Sequence, residues 1–202
     1  MNRFREDVEE YTRFAAKFDT PVRYELLHGN SHEAISRIAG FYRVARSFSR
    51  KFDEGIGLAR YEPVLSAIWS YQPERSQDPI EAVLDLTRDL KRLYRKEVLS
   101  ASSKFLWFAW GREIIIYDSQ ALASIQTRFP TLKPKNYYGY CSAWRTLFAE
   151  DMGEIESECL RQAACMERWF HERVFDWHLW RLGKRQSRAS GNADSPLVIG
   201  KR

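Results

Sequence analysis

Between Arg3 and Phe18 the apolar residues Phe4, Val8, Tyr11, Phe14 and Ala15 recur every three or four positions, the spacing of one buried helix face. Thr20-Pro21 is expected to end that helix, because proline removes a backbone donor. Asn30 and Ser31 are N-cap residues for a second helix, with Ile35, Ile38, Ala39, Tyr42 and Ala45 on one face; the glycines of "FDEGIG" break it. A short helix is expected from about Tyr61 to Tyr71. Asp78-Pro79 pairs a cap with a proline at the first helical position, and opens a helix carrying Ile80, Val83, Leu84, Leu86, Leu90, Leu93 and Tyr94. Asp118-Ser119 caps another, Gln120 to Phe129, and "PTLKPKN" is a loop. From Tyr137 to Leu182 two or three more helices are expected, with Gly153 and Gly183 as breaks. Only "EIIIYD" has β-branched character, and six residues make no sheet. The pattern predicts an all-α fold of about eight to ten helices, one domain over residues 1–183, with no internal repeat.

Charge changes the picture at one end. The chain of 202 residues carries a net +5. Lys184, Arg185, Arg188, Lys201 and Arg202 against Asp194 place +4 of this on residues 184–202, leaving +1 for residues 1–183. The final segment, rich in Ser, Arg, Gly and Asn, is expected to be a disordered basic tail. Any nucleic-acid surface on the body must therefore be a local patch, with the tail an auxiliary arm. No run of 18 apolar residues occurs, so no membrane span is expected. The charged, amphipathic start "MNRFREDVEEYTRF" lacks a signal-peptide core, and a cytoplasmic protein is expected. Cys141, Cys159 and Cys165 have no metal-ligand spacing and are expected to be reduced thiols. Glu167 and His171, four apart, with His178 seven further on, lack the extra ligand of a full metal site and are read as a surface helix. No cofactor or metal is expected.

The chemistry concentrates in Val98–Ser119. A polar stretch, Ser100-Ala101-Ser102-Ser103, leads to Lys104. An aromatic helix, Phe105 to Trp110, a turn at Gly111 and the run "EIIIY" follow, ending at Asp118. If the chain doubles back, Lys104 and Asp118 face one cleft. Free backbone N–H groups and the helix dipole favour an anion at each helix start. Asp118 then reads either as a helix cap alone or as a placed carboxylate, and Lys104 either as a phosphate contact or as an amine nucleophile.

The order turn, Lys, short helix, apolar run, Asp resembles the core of the helix-hairpin-helix DNA glycosylases. In that superfamily a turn of the form L-x-G-x-G-x-K-x-A precedes an apolar run ending in a catalytic Asp. Val98-Leu99-Ser100-Ala101-Ser102-Ser103-Lys104 lies over the turn and "IIIYDS" over the acid. "LSAIWSYQ" (Leu65–Gln72) resembles the family's helix ending in a Gln-bearing loop. "RVFDWHLWRLG" (Arg173–Gly183) is similar to the C-terminal helix of small bacterial relatives with the oxoguanine-glycosylase fold. The resemblance covers Leu65 to Gly183. Both hairpin glycines are replaced, by Ser100 and Ser102, and no cysteine cluster for an iron–sulfur centre is present.

The resemblance implies a monomeric DNA glycosylase that flips a modified base from the duplex and hydrolyses its N-glycosidic bond. Asp118 is the expected catalytic carboxylate, stabilising positive charge on the sugar and orienting water. Lys104 is the candidate second catalytic group. Its serine neighbours suggest a hydrated turn and a charged ammonium, hence monofunctional action. Trp69, Trp107, Trp110, Tyr117 and Tyr138 are candidates for the base pocket, and Tyr71, Gln72, Ser100, Ser102 and Ser103 for DNA contacts. A narrower expectation, also from resemblance, is excision of bulky modified cytosine from phage DNA in antiviral defence. The alternative is a non-enzymatic helical module that binds DNA or a protein, with Asp118 only a cap.

Overall fold

The computed structural model describes residues 2–48, 52–53, 58–70, 78–111 and 113–189. Tyr71, Gln72 and the tail beyond residue 189 lie outside them. The architecture is all-helical: α1 (Arg5–Phe14), α2 (Thr20–His28), α3 (Ser31–Phe41), α4 (Glu62–Ser70), α5 (Pro79–Tyr94), α6 (Leu99–Trp110), α7 (Ser119–Gln126), α8 (Tyr137–Arg161) and α9 (Arg168–Ala189). Among the described residues the only sheet is a minimal antiparallel pairing of β1 (Phe52–Asp53) with β2 (Leu58–Ala59). The capping signals at Asn30, Asp78 and Asp118 each form: the side chains accept from the backbone N–H of Glu33, Ile80 and Gln120.

Pro21 does not end the first helix. A π-helical turn, Ala15–Asp19, joins α1 to α2, and the Thr20 N–H reaches back five residues to the Ala15 carbonyl. Widening the spiral by one residue lets the chain pass a missing donor, and it turns Asp19 into the protein.

Gly153 and Gly183 break nothing. Gly153 lies within α8, where a Cβ would meet no other atom within 4 Å. Gly183 lies within α9, where a Cβ would overlap the Gln120 backbone carbonyl. The missing side chain lets α9 lie directly on α7, the most extensive helix pairing in the fold. The helix continues past Gly183 to Ala189, and Ser187 Oγ bonds Gln120 Oε1 at 2.9 Å. Residues 184–189 therefore belong to the domain and not to a tail.

The turn before Lys104 does not lie at Ser100–Ser103. The chain turns between α5 and α6 at Arg95–Val98, with Arg95 in the left-handed conformation at φ 52°. Ser100, Ser102 and Ser103 are already helical, in the first turns of α6. A helical serine can bond an earlier carbonyl of its own helix, and Ser103 Oγ does so, donating to the Ser100 carbonyl and accepting from the Tyr117 N–H. Ser100 Oγ accepts from Lys104 Nζ, and the buried Ser102 Oγ has no partner among the described residues. Ser102 and Ser103 are fully buried. Neither can reach a DNA phosphate.

Candidate active site

The run Ile114–Tyr117 is extended, buried and outside any sheet, so its backbone polar groups need partners from side chains. Tyr137 Oη donates to the Ile115 carbonyl at 2.6 Å and Tyr140 Oη to the Ile116 carbonyl at 3.0 Å. Lys104 Nζ donates to the Tyr117 carbonyl at 3.2 Å. The run is thereby fixed along its length and delivers Asp118 to the start of α7. Gly111 makes the reversal possible: its φ of +81° suits glycine, and the Arg23 side chain lies over its Cα, donating to the Trp110 carbonyl at 3.3 Å. A cation there complements the C-terminus of α6.

Lys104 and Asp118 do come together. Lys104 Nζ lies 3.2 Å from Asp118 Oδ2 and 2.7 Å from Ser100 Oγ. Asp118 Oδ1 accepts the Gln120 N–H at 2.9 Å. The two ends of the pair differ in access. The Lys104 side chain is 2% exposed, that of Asp118 28%. Burial pulls the Lys104 amine below its ordinary value, and Asp118 partly offsets the shift. Lys104 is therefore buried and not hydrated as its serine neighbours suggested; one helical turn back, Ser100 alone of the three places its hydroxyl on the ammonium.

Behind Lys104 lies a buried charge network that sequence reasoning missed. Lys104 Nζ stands 5.8 Å from the centre of the Tyr42 ring. Tyr42 Oη donates to Asp19 Oδ1 at 3.0 Å and accepts from Arg173 Nη2 at 2.9 Å. Tyr11 Oη donates to Asp19 Oδ2 at 2.8 Å. Arg173 Nη1 pairs with Asp176 Oδ2 at 2.9 Å, and Trp144 Nε1 donates to Asp176 Oδ1 at 2.7 Å. The Arg173 guanidinium also lies 4.8 Å from the centre of the Trp107 ring. Burial raises the Asp19 carboxyl and pushes Asp176 up to about 6, each against the pull of Arg173. One signal pointed here: Arg173 and Asp176 stand three apart among Val174, Phe175 and Trp177, charges set in an apolar stretch that pair only if both are buried.

A cleft of about 230 Å³ opens beside this network. Asp19, Arg23, Tyr24, His28, Trp107 and Trp169 are among its lining residues. Of the five aromatic candidates only Trp107 lines it. Trp69 and Tyr138 are exposed on α4 and α8. Trp110 ends α6 and is partly buried. Tyr117 is buried, its hydroxyl accepting the Lys135 N–H at 3.0 Å. The aromatic density of the chain mostly reflects core packing. His171, read as part of a surface helix, is buried at 2% exposure and its imidazole is pushed down by burial. Among the described residues no group of three or more His, Cys, Asp or Glu side chains is arranged to hold a metal, and no helix is long and apolar enough to cross a membrane.

No family model, curated protein or solved structure matches the chain.

Proposed function

We propose that the protein is a DNA N-glycosylase that excises a modified base by hydrolysis, with Asp118 as its catalytic carboxylate. One observation carries this reading: a carboxylate at a helix start, held by Lys104 from inside and by the Gln120 N–H, and open to solvent on its remaining side. As an N-glycosidic bond breaks, positive charge grows on the sugar, and a preoriented carboxylate stabilises it without reorganising. Asp118 can also align the water that attacks the sugar carbon.

In this reading Lys104 is a positioning residue. A lowered amine favours nucleophilic attack, but Nζ is enclosed by Ser100 Oγ, the Tyr117 carbonyl and Asp118. It cannot meet a sugar carbon without leaving all three. Monofunctional action follows from enclosure and not from hydration. The narrower substrate, a bulky modified cytosine of phage DNA, remains part of the proposal on resemblance alone.

The Gln120 N–H bond supports a second reading, in which Asp118 only caps α7 in a non-enzymatic binding module. Incubation with DNAs of different base content, including phage DNA rich in modified cytosine, separates the two. Released base and abasic sites support the enzyme. Binding of DNA without base release on any substrate supports the module.

A further inference from the structure

A group of exposed cations surrounds the turn between α5 and α6. Glu97 Oε2, in that turn, lies 3.6 Å from Lys91 Nζ near the end of α5 and 3.1 Å from Lys135 Nζ in the loop before α8. The neighbouring Lys96 Nζ donates to the Arg46 carbonyl at 3.2 Å, and Ser47 Oγ donates to the Glu97 carbonyl at 3.5 Å. Three segments distant in sequence are thereby pinned together: residues 46–47, 91–97 and 133–135. Arg46, Lys91, Arg95, Lys96, Lys133 and Lys135 are all exposed there. Among the described residues, Glu97 is the only carboxylate within ion-pair distance of any of the six. Six cations and one carboxylate give this face +5. Residues 1–183 together total +1, so the rest of that body carries −4. Like charges crowded on one face repel and cost stability, and a polyanion bound there removes the cost.

We infer that this face binds the phosphate backbone of duplex DNA. The inference deepens the glycosylase reading, and the choice of DNA as the polyanion rests on it. Phosphates neutralised by lysine and arginine release their condensed counterions, which drives binding without regard to sequence. Such contacts fix position and orientation and do not read bases, so the face supplies affinity and register, and base choice lies elsewhere. Its supports are shared with the candidate carboxylate. The Lys135 N–H donates to Tyr117 Oη at 3.0 Å, one residue before Asp118. Ser100, three residues after Glu97, accepts from the ammonium that pairs with Asp118. DNA held on this face is therefore held on the framework that carries Asp118. Glu97 acts as an internal counter-charge, engaging two lysines that a phosphate would otherwise take.

The test measures binding of the full-length protein to a fluorescent duplex of unmodified bases by anisotropy, from about 50 to 200 mM salt. Replacing Arg95 and Lys96 together by serine should weaken binding roughly tenfold or more and reduce the logarithmic salt slope by about 2. Glu97→Gln should act oppositely: it releases Lys91 and Lys135, so binding should tighten severalfold and the slope should steepen. Arg5→Ser with Lys17→Ser removes the same charge from exposed positions on α1 and the π-helical turn, and should change binding far less. All these positions are exposed, so the variants should fold, as melting curves check. Equal weakening by the two double variants would show that net charge alone attracts DNA, and would overturn the inference. So would a wild type that binds no duplex, a Glu97→Gln protein that binds no better than wild type, or binding to anionic phosphatidylserine vesicles without binding to the duplex. Failure here is separable from failure of the glycosylase reading. Base release unaffected by the Arg95 and Lys96 replacements defeats the face alone, and face-dependent DNA binding without base release from any DNA defeats the enzyme alone.

Discussion

Lys104 and Asp118 meet across fourteen residues of chain with 3.2 Å between ammonium and carboxylate, the lysine sealed inside α6 and the aspartate half-open at the start of α7. In the proposed enzyme the asymmetry divides the roles: the buried lysine would hold, and the accessible aspartate would act.

Replacing Lys104 by Met tests that division. Methionine fills the buried space without a charge, and Asp118 remains capped and hydrated, so the fold should survive. Base release should fall roughly tenfold or more, because a displaced carboxylate loses its alignment. Burial depresses the Lys104 amine in the folded state, so wild-type stability should rise with pH between that lowered value and the unfolded value of about 10.4, where the unfolded chain binds the extra proton. Lys104→Met should lack that rise in a series of alkaline melting curves. Borohydride treatment of a wild-type reaction should trap no protein–DNA adduct.

Gly183 connects packing to the site. A Cβ there would strike the Gln120 carbonyl, two residues from Asp118 in the first turn of α7. Gly183→Ala should cost about 2 kcal/mol or more, as overpacking against backbone cannot be relieved by a rotamer change, and should reduce base release by moving α7. Gly153→Ala, with open space around it, should instead stabilise by roughly 0.5–1 kcal/mol. Thermal melts of both variants check the contrast. Ending the chain after Gly183 should lower the melting temperature by several degrees, since it removes Ser187 and its bond to Gln120.

Asp176 provides a signature of the buried network. Its carboxyl, raised from 3.8 to about 6 by burial, contributes stability that is fully present below about pH 4 and is lost as pH rises through 6. The change amounts to roughly 3 kcal/mol. Asp176→Asn still accepts from Trp144 and removes the titration. Its melting temperature relative to wild type should therefore improve by roughly 5–10 °C between pH 4 and pH 7. A constant difference across that range would show that Asp176 does not titrate in the folded protein.

Local signals in the sequence located most of the helices and brought out both members of the central pair. Asn30, Asp78 and Asp118 cap as their residue type requires, because capping depends on a few neighbouring atoms. The misses have tertiary causes. Pro21 is absorbed by a π-helical turn that positions Asp19, and no periodicity announces such a turn. Gly183 looks like a terminator until α7 lies against it. Ser100, Ser102 and Ser103 read as a polar turn because serine favours turns, yet here they are helical: Ser100 accepts from a buried lysine and Ser103 from the backbone of the extended run, while the buried Ser102 hydroxyl has no partner among the described residues. Asp19, Arg173 and Asp176 are far apart along the chain or flanked by apolar residues, so their association emerges only when α9 packs against the α1–α2 junction and α6.

The most direct measurement compares wild type with Asp118→Asn for free base released from DNA containing modified cytosine, at matched folded concentration. Asparagine caps a helix as well as aspartate, so α7 and the melting temperature should be preserved. Loss of the negative charge should slow release by roughly a hundredfold or more. Turnover in Asp118→Asn equal to that of wild type would contradict the assignment of Asp118 as the catalytic carboxylate, and an absence of base release by wild type from every DNA tried would contradict the enzyme itself.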